Sequence, residues 1–301
     1  MMTPRRSLEV LFLTVLGTFG GCSAGCSCPP PQWSRSVHPV APAGAAKADV
    51  ALDCARICGP GATCVETQLP DGTPALECAG DPPPPCYSGR RPRGLVGSRT
   101  TRRAAAPRAG AMLAQMAELE AASAFAFEGL ARELAAFGAP TDLVTRCRVA
   151  AAEEARHARV VRAHARRRGG RPRAVRVTAA APRSLADLAI ENAREGCVLE
   201  TFAALHAAHH AVAATDPPFG AAMRAIPRDE ASHAAIARDI DAWATARLDA
   251  EERARVEAAH VEAWASLVVA TDGGAEPALG MPCGRARAAL AAALREALAA
   301  A

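Results

Sequence analysis

From Pro107 onward, apolar and polar positions alternate with the period of a helix face, and the punctuation between periodic stretches divides them cleanly. Met112–Phe137 reads as one helix, closed by Gly138-Ala139-Pro140. Thr141 and Asp142 are expected to cap a second that runs to Arg168 and stops at Gly169-Gly170. After an Arg-rich loop, Ser184 with Asp187 forms a capping box for a third helix reaching Thr215. Asp216-Pro217 begins a fourth that continues to about Leu248. Asp249 with Glu252 opens a fifth, and 284–300 makes a short last one. Four long helices with one longer central connection predict an all-α bundle over 107–248, with further C-terminal helices over 249–301.

The pattern before residue 107 is different. Residues 1–21 read as a signal peptide: Arg5 and Arg6, an apolar stretch Leu8–Phe19, and a small-residue end before Cys22. The apolar run is too short to span a membrane. Residues 22–53 read as a Pro/Ala-rich tether without periodicity. Residues 54–100 hold Cys54, Cys58, Cys64, Cys78 and Cys86 between turn signals, then a linker. With few apolar residues there, disulfides are expected to hold the segment. Zinc fits less well, because no nearby His or second close Cys pair stands at finger spacing.

Composition supports helices and adds a compartment. Of 301 residues, 50% are hydrophobic but only 4% aromatic, so the apolar mass is mostly Ala, which favours helix over sheet. One Lys stands beside 34 Arg, a coding bias that discounts part of the Ala signal. A net charge of +4 is too small and scattered to indicate nucleic acid as a partner. Charged residues at 22% exclude wholesale disorder. Eight of the eleven Cys lie before residue 90, which points to an oxidising compartment.

The candidate chemistry is a repeated Glu-x-x-His: Glu154-Ala155-Arg156-His157 and Glu230-Ala231-Ser232-His233. At this spacing both side chains leave one helix face and can converge on one metal ion. Chance alone supplies about half an occurrence among 19 Glu and 8 His, so the surrounding repeat carries more weight. Glu120 precedes Glu154 by 34 residues, and Glu195 precedes Glu230 by 35. Phe127 and Phe202 follow the leading Glu of each half by seven, and an acid, Glu153 or Asp229, precedes each motif Glu. Folded antiparallel, two such halves place four carboxylates and two imidazoles at one level of the core. Four buried carboxylates repel unless protonated or neutralised; two divalent ions supply the matching charge. Mixed oxygen and nitrogen ligands suit iron or manganese.

The metal set read from spacing is therefore Glu120, Glu154, His157, Glu195, Glu230 and His233. Glu200 competes with Glu195, and the half-repeat spacing favours Glu195. Glu153 and Asp229 are candidates to orient the ligand imidazoles or are simple helix charges. Pro227, three residues before Glu230, is expected inside the fourth helix, where it would kink the chain. His206, His209 and His210 read as a polar helix end, with an entry path beside His206 as the other reading. Cys147 and Cys197 read as small hydrophobes, Cys147 facing the interior.

Those ligand residues resemble the ferritin-like di-iron carboxylate superfamily, which includes rubrerythrin, bacterioferritin and the tRNA-modifying di-iron hydroxylases. More narrowly, Glu120-Ala-Ala-Ser-Ala-Phe, Gly138-Ala-Pro140, Arg194-Glu-Gly-Cys-Val-Leu-Glu-Thr201 and Asp229-Glu-Ala-Ser-His233 are similar to a ferritin-like family common in myxobacterial proteins. There a Cys-rich segment ending in Gly-Arg-Arg-Pro often precedes the bundle, as Gly89-Arg90-Arg91-Pro92 does here. The resemblance covers about residues 86–247. It implies a ferritin-like four-helix bundle with two iron ions, manganese being possible, that oxidises ferrous iron, reduces peroxide or uses oxygen. An electron donor or a small oxidant would be its partner. Phe19-Gly20-Gly21-Cys22 resembles a lipobox, which implies lipidation at Cys22 and a membrane-anchored protein of the bacterial cell envelope. Export argues against tRNA as substrate. With Tyr87 the only Tyr, outside the bundle, a tyrosyl-radical role is not expected. The other reading is a non-catalytic helical surface lipoprotein or scaffold whose site is empty or holds one structural metal.

Overall fold

A computed structural model describes residues 12, 15–16, 36–39, 63–68, 74–79, 90–95, 108–269, 276–282 and 284–299. The chain divides into two compact units, one comprising Met1–Cys26, Tyr87–Thr271 and Ala275–Ala301, the other Ser27–Cys86 and Asp272–Gly274. The larger unit is helical, as the periodicity requires.

Helix α1 spans Arg108–Ala136 and α2 spans Thr141–Arg167. Gly138 turns the chain between them with φ 72°, a left-handed conformation that a Cβ would strain. Thr141 is the first residue of α2, preceded by Pro140, and no side chain caps its N-terminus. This corrects the expected Thr141/Asp142 cap; the φ of proline already suits the position. The buried stripe of α1 runs Leu113, Ala117, Phe127, Leu130 and Leu134. That of α2 runs Val144, Cys147, Ala151, Glu154, His157, Val161, His164 and Ala165, so three polar side chains ride an otherwise apolar seam.

The third long helix is compound. Its α3 portion, Leu185–Glu191, starts at Ser184, whose hydroxyl accepts from the Asp187 N–H at 3.1 Å. A nine-residue π-helix, Asn192–Glu200, follows, and α4, Thr201–Ala213, completes the rod. The expected fourth helix is also divided: α5 covers Pro217–Met223 and α6 covers Pro227–Thr245. Pro227 therefore opens a helix instead of kinking one, because at the first turn its missing N–H costs nothing. Asp249 and Glu252 exchange backbone and side-chain hydrogen bonds at the start of α7, Ala250–Val269. A short 3₁₀ turn, Pro277–Leu279, and α8, Gly284–Ala299, end the described chain. No helix among the described residues is long and apolar enough to cross a membrane.

Within the expected leader, Phe12 and Val15 are buried in one apolar cluster with Val198, Phe202, Leu267, Leu290 and Leu294. Cys22 and the rest of the leader, Leu16 apart, lie outside the described residues. Residues 90–95 belong to the helical unit, with Leu95 bridging to Val177. The helical unit thus resumes at Tyr87, within the stretch read as linker after the last Cys of the Cys-rich segment.

The smaller unit contains an antiparallel sheet of β1 (Ser36–Pro39), β2 (Thr63–Gln68) and β3 (Pro74–Ala79) in the order β1-β3-β2. A sheet qualifies the all-α expectation, and β1 lies in the stretch read as tether. Its backbone finds partners in β3, with Ser36 opposite Cys78 and Cys64 opposite Cys78 from the other side. Cys54, Cys58 and Cys86 lie outside the described residues.

Candidate metal centre

Two groups of acidic and histidine side chains meet inside the helical unit. In one, Glu120, Glu154, His157 and Glu230 each bring a potential ligand atom within 4.8 Å of the others. In the second, Glu154, Glu200, Glu230 and His233 do the same. Glu154 and Glu230 belong to both. Glu120 comes from mid-α1, Glu154 and His157 from mid-α2, Glu200 from the last residue of the π-helix, and Glu230 and His233 from the first turns of α6.

The two shared carboxylates are placed symmetrically. Glu230 turns Oε1 toward His157 Nδ1 (3.1 Å) and Oε2 toward His233 Nδ1 (3.7 Å). Glu154 turns Oε1 toward His233 Nδ1 (3.2 Å) and Oε2 toward His157 Nδ1 (3.9 Å). Each oxygen of these two carboxylates thus faces a different imidazole. Glu120 Oε2 stands 3.8 Å from His157 Nδ1 on the outer side.

The imidazoles are held from behind. Asp229 Oδ2 lies 3.1 Å from His157 Nε2, and Glu153 Oε2 lies 3.0 Å from His233 Nε2. The pairing crosses the helices: the acid on α6 holds the histidine of α2, and the acid on α2 holds that of α6. A carboxylate behind Nε2 keeps the proton there and leaves the Nδ1 lone pair for the centre. Arg156 also pairs with Asp229.

Four buried atoms at the focus, Glu154 Oε2, Glu200 Oε2, His157 Nδ1 and His233 Nδ1, have no hydrogen-bond partner. Orphaned groups cost free energy in a folded interior, and here all four belong to residues of the two overlapping groups. Burial pushes the Glu154 carboxyl up to about 7, with Glu230 repelling in the same sense. Burial raises Glu200 to about 7 and Glu120 well above the carboxylate range. Burial would also raise Glu230, but contact with His157 and His233 outweighs it and pulls that carboxyl down to about 2. Burial lowers His157 and His233 less than the surrounding carboxylates raise them. With only its own side chains, the cluster holds extra protons, which divalent cations can replace.

The residues expected from spacing are brought together with one exception. Glu195 is not in the cluster; Glu200 is. The Glu195 carboxylate instead accepts the Arg91 N–H at 2.8 Å, and burial raises it to about 7. Glu200 Oε1 accepts the neighbouring Arg90 N–H at 2.8 Å. Positions five apart are about 140° apart on an α-helix, whereas a π-helix, with roughly 4.4 residues per turn, brings them toward one side. The π-turn thus presents both acids to the strap at residues 90–91.

Arg90 carries no local signature of a functional residue, yet it is buried, and its N–H meets Glu200 of the cluster. Its Nη2 donates to Asn192 Oδ1 at 2.6 Å, and its guanidinium lies over the Phe127 ring at 5.3 Å. Phe127 in turn packs on the His233 ring, centroids 5.0 Å apart. Gly196 makes room for the guanidinium, since a Cβ there would stand 2.1 Å from Arg90 Nη2. The signal lay in Gly89-Arg90-Arg91-Pro92, but nothing local in those residues reveals a long-range partner.

His206 and His210 are buried too, which corrects the polar helix end. They line a cavity of about 30 Å³ together with Glu120, Glu154 and Glu230. That is room for about two water-sized molecules. Burial lowers both imidazoles, His210 to about 4, so they are neutral near pH 7. A larger groove of about 620 Å³ runs past Arg93, Arg183, Glu191, Arg194, Glu195 and Glu262 and touches none of the six clustered residues. No protein-family model, curated protein or solved structure matches the chain.

Proposed function

We propose that the helical unit is a ferritin-like four-helix bundle holding a dinuclear iron centre, with manganese as the alternative metal. The four helices are α1, α2, the compound rod Leu185–Ala213, and α6. Glu154 and Glu230 would bridge the ions. Glu120 with His157 would complete one site, and Glu200 with His233 the other. The observation that carries this reading is the double membership of Glu154 and Glu230, each oxygen set toward a different imidazole. The donor set fits: four carboxylates offset the charge of two divalent ions, and oxygen with imidazole nitrogen suits iron or manganese.

Iron bound there would supply electron exchange with a small oxidant, so the activity is ferrous-iron oxidation, peroxide reduction or oxygen use. The chain's own residues set the conditions for it. Asp229 and Glu153 fix the imidazoles, and the Arg90 N–H orients Glu200. The 30 Å³ cavity limits access to small molecules, and His206 and His210 provide neutral polar walls. The reading includes export and anchoring through a lipid on Cys22.

The test is metal analysis of the purified full-length protein after loading with ferrous iron under nitrogen. About two ions per chain, lost in Glu154→Ala and in Glu230→Ala, are expected. No bound metal in the parent protein overturns the proposal and leaves a helical scaffold. For the anchor, Cys22→Ser is expected to release the protein from membranes; unchanged membrane association removes that part.

A further inference from the structure

A second set of ligand-type side chains lies on the other side of the π-helix. Cys197 of the π-helix, Asp241 of α6 and His260 of α7 each bring one potential ligand atom within 4.8 Å of the others. His260 Nε2 and Asp241 Oδ1 are 3.3 Å apart. That matches the edge of a tetrahedron, ~3.3 Å, around an ion with oxygen and nitrogen bonds of ~2.0–2.1 Å. The thiol lies beneath, buried, close to the Ala237 carbonyl (3.5 Å) one helical turn before Asp241. The Asp241 and His260 side chains keep 28% and 22% of their exposure, so the group is open to solvent on one side only. None of the three belongs to the Glu/His cluster.

We propose that Cys197, Asp241 and His260 form a separate site for one borderline-soft divalent cation, of the zinc type, with water in the fourth position. Sulfur, carboxylate oxygen and imidazole nitrogen together disfavour magnesium and calcium, which take oxygen, and favour zinc or its analogue cobalt. On binding, the S–H proton leaves to solvent; thiolate and carboxylate then offset the two positive charges and the imidazole stays neutral. Burial pushes the thiol up to about 12, so without a cation it remains protonated. The site also connects to the first centre through two residues, Asn192 and Arg90. Asn192 Nδ2 lies 3.6 Å from Cys197 Sγ, while its Oδ1 accepts from Arg90, whose N–H holds Glu200.

Cobalt titration of the full-length protein, disulfides left oxidised, tests the site independently of the dinuclear reading. The expected result is a thiolate-to-cobalt charge-transfer band in the near ultraviolet that saturates at one ion per chain. The band is expected to vanish in Cys197→Ala and to persist in a Glu154→Gln/Glu230→Gln double variant. His260→Gln, at a partly exposed position that leaves the core intact, is expected to weaken cobalt binding at least tenfold. A parent protein without the band overturns the proposal. So does a band that survives in Cys197→Ala, or binding unaffected by His260→Gln. Loss of the iron sites with this band retained would sink only the dinuclear reading.

Discussion

The two halves of the Glu/His cluster reach the same geometry by different means. In the first half, Glu120, Glu154 and His157 sit in the middle of α1 and α2, two uninterrupted helices joined by a short turn. In the second, Glu200 ends a π-helix and Glu230 and His233 lie in the first turns of α6, after a broken connection. The first half takes the placement of its side chains from that helix pair, with Asp229 of α6 reaching in to hold His157 from behind. The second leans on additions: the strap at Arg90 and Arg91, α7, α8, and Phe12 and Val15. A regular helix pair sets which side chains share a face by periodicity. An irregular one positions them by what packs against it, and is therefore the half open to adjustment.

The largest expected effects erase the comparison, because Glu154 and Glu230 serve both halves. Glu154→Ala or Glu230→Ala is expected to abolish binding of both ions, which metal analysis would show. The stabilisation by saturating manganese, ~2.7 kcal/mol at a hundredfold excess over Kd, would go with it in thermal melts. Next, Glu200→Gln and Glu195→Gln separate ligand from strap partner. Glu200→Gln is expected to remove one of the two ions, and Glu195→Gln to leave both. A reversed result, read by calorimetric titration, would return the third-helix role to Glu195. Smaller again, Asp229→Asn and Glu153→Gln are each expected to weaken metal binding by ~10–100-fold. The loss should fall on the half whose histidine each acid holds, so a uniform loss would contradict the crossed pairing.

The pH dependence of the metal-free protein has a definite sign. Glu120, Glu154 and Glu200 are raised by burial, and His157 and His233 are raised by their carboxylate neighbours. Groups whose pKa is higher folded than unfolded stabilise at low pH, and that contribution is lost as pH rises through the folded value. Glu230, pulled down to about 2, is ionised in both states above pH 5 and adds no slope there. Burial lowers His206 and His210 and so opposes this trend below their ordinary value of 6.5. Melting temperature is therefore expected to fall between about pH 6.5 and 8 without metal, and to level off with manganese bound. A metal-free protein that gains stability across that range would contradict the buried carboxyls. The smallest effect concerns the cover of the second half: Phe12→Ala in the full chain is expected to lower melting by roughly 2–4 °C per kcal/mol of lost burial. No shift would place that residue outside the core.

Five of the six clustered side chains were legible in the sequence because two i, i+3 pairs and a leading Glu are local patterns, and an Ala-rich background makes them stand out. Glu120, Glu154 and His157 lie on helices with constant residues per turn, so counting along the chain was enough. Counting failed at Glu195 because it assumed the same regularity between the third helix and Glu230. The π-helix and the break at residues 224–226 change how many residues separate equivalent positions. The same break explains Pro227, which looked disruptive only while the fourth helix was taken as continuous. Buried His206 and His210 were read as a helix end because their cover comes in part from distant chain: His210 meets the Leu279 carbonyl, 69 residues away.

What the sequence by itself determined is what depends on local spacing: the helical fold class, most helix starts, and which carboxylates and imidazoles share a helix face. Tertiary structure decided Glu200 over Glu195, the crossed hold of Asp229 on His157 and Glu153 on His233, and the burial of Arg90 against Asn192 and Phe127. The physical reason is range. Helical periodicity and capping act within about one turn, so they are written in adjacent residues. A ligand's final direction is set by a strap about a hundred residues away in the chain, through a hydrogen bond that exists only once the helices have packed.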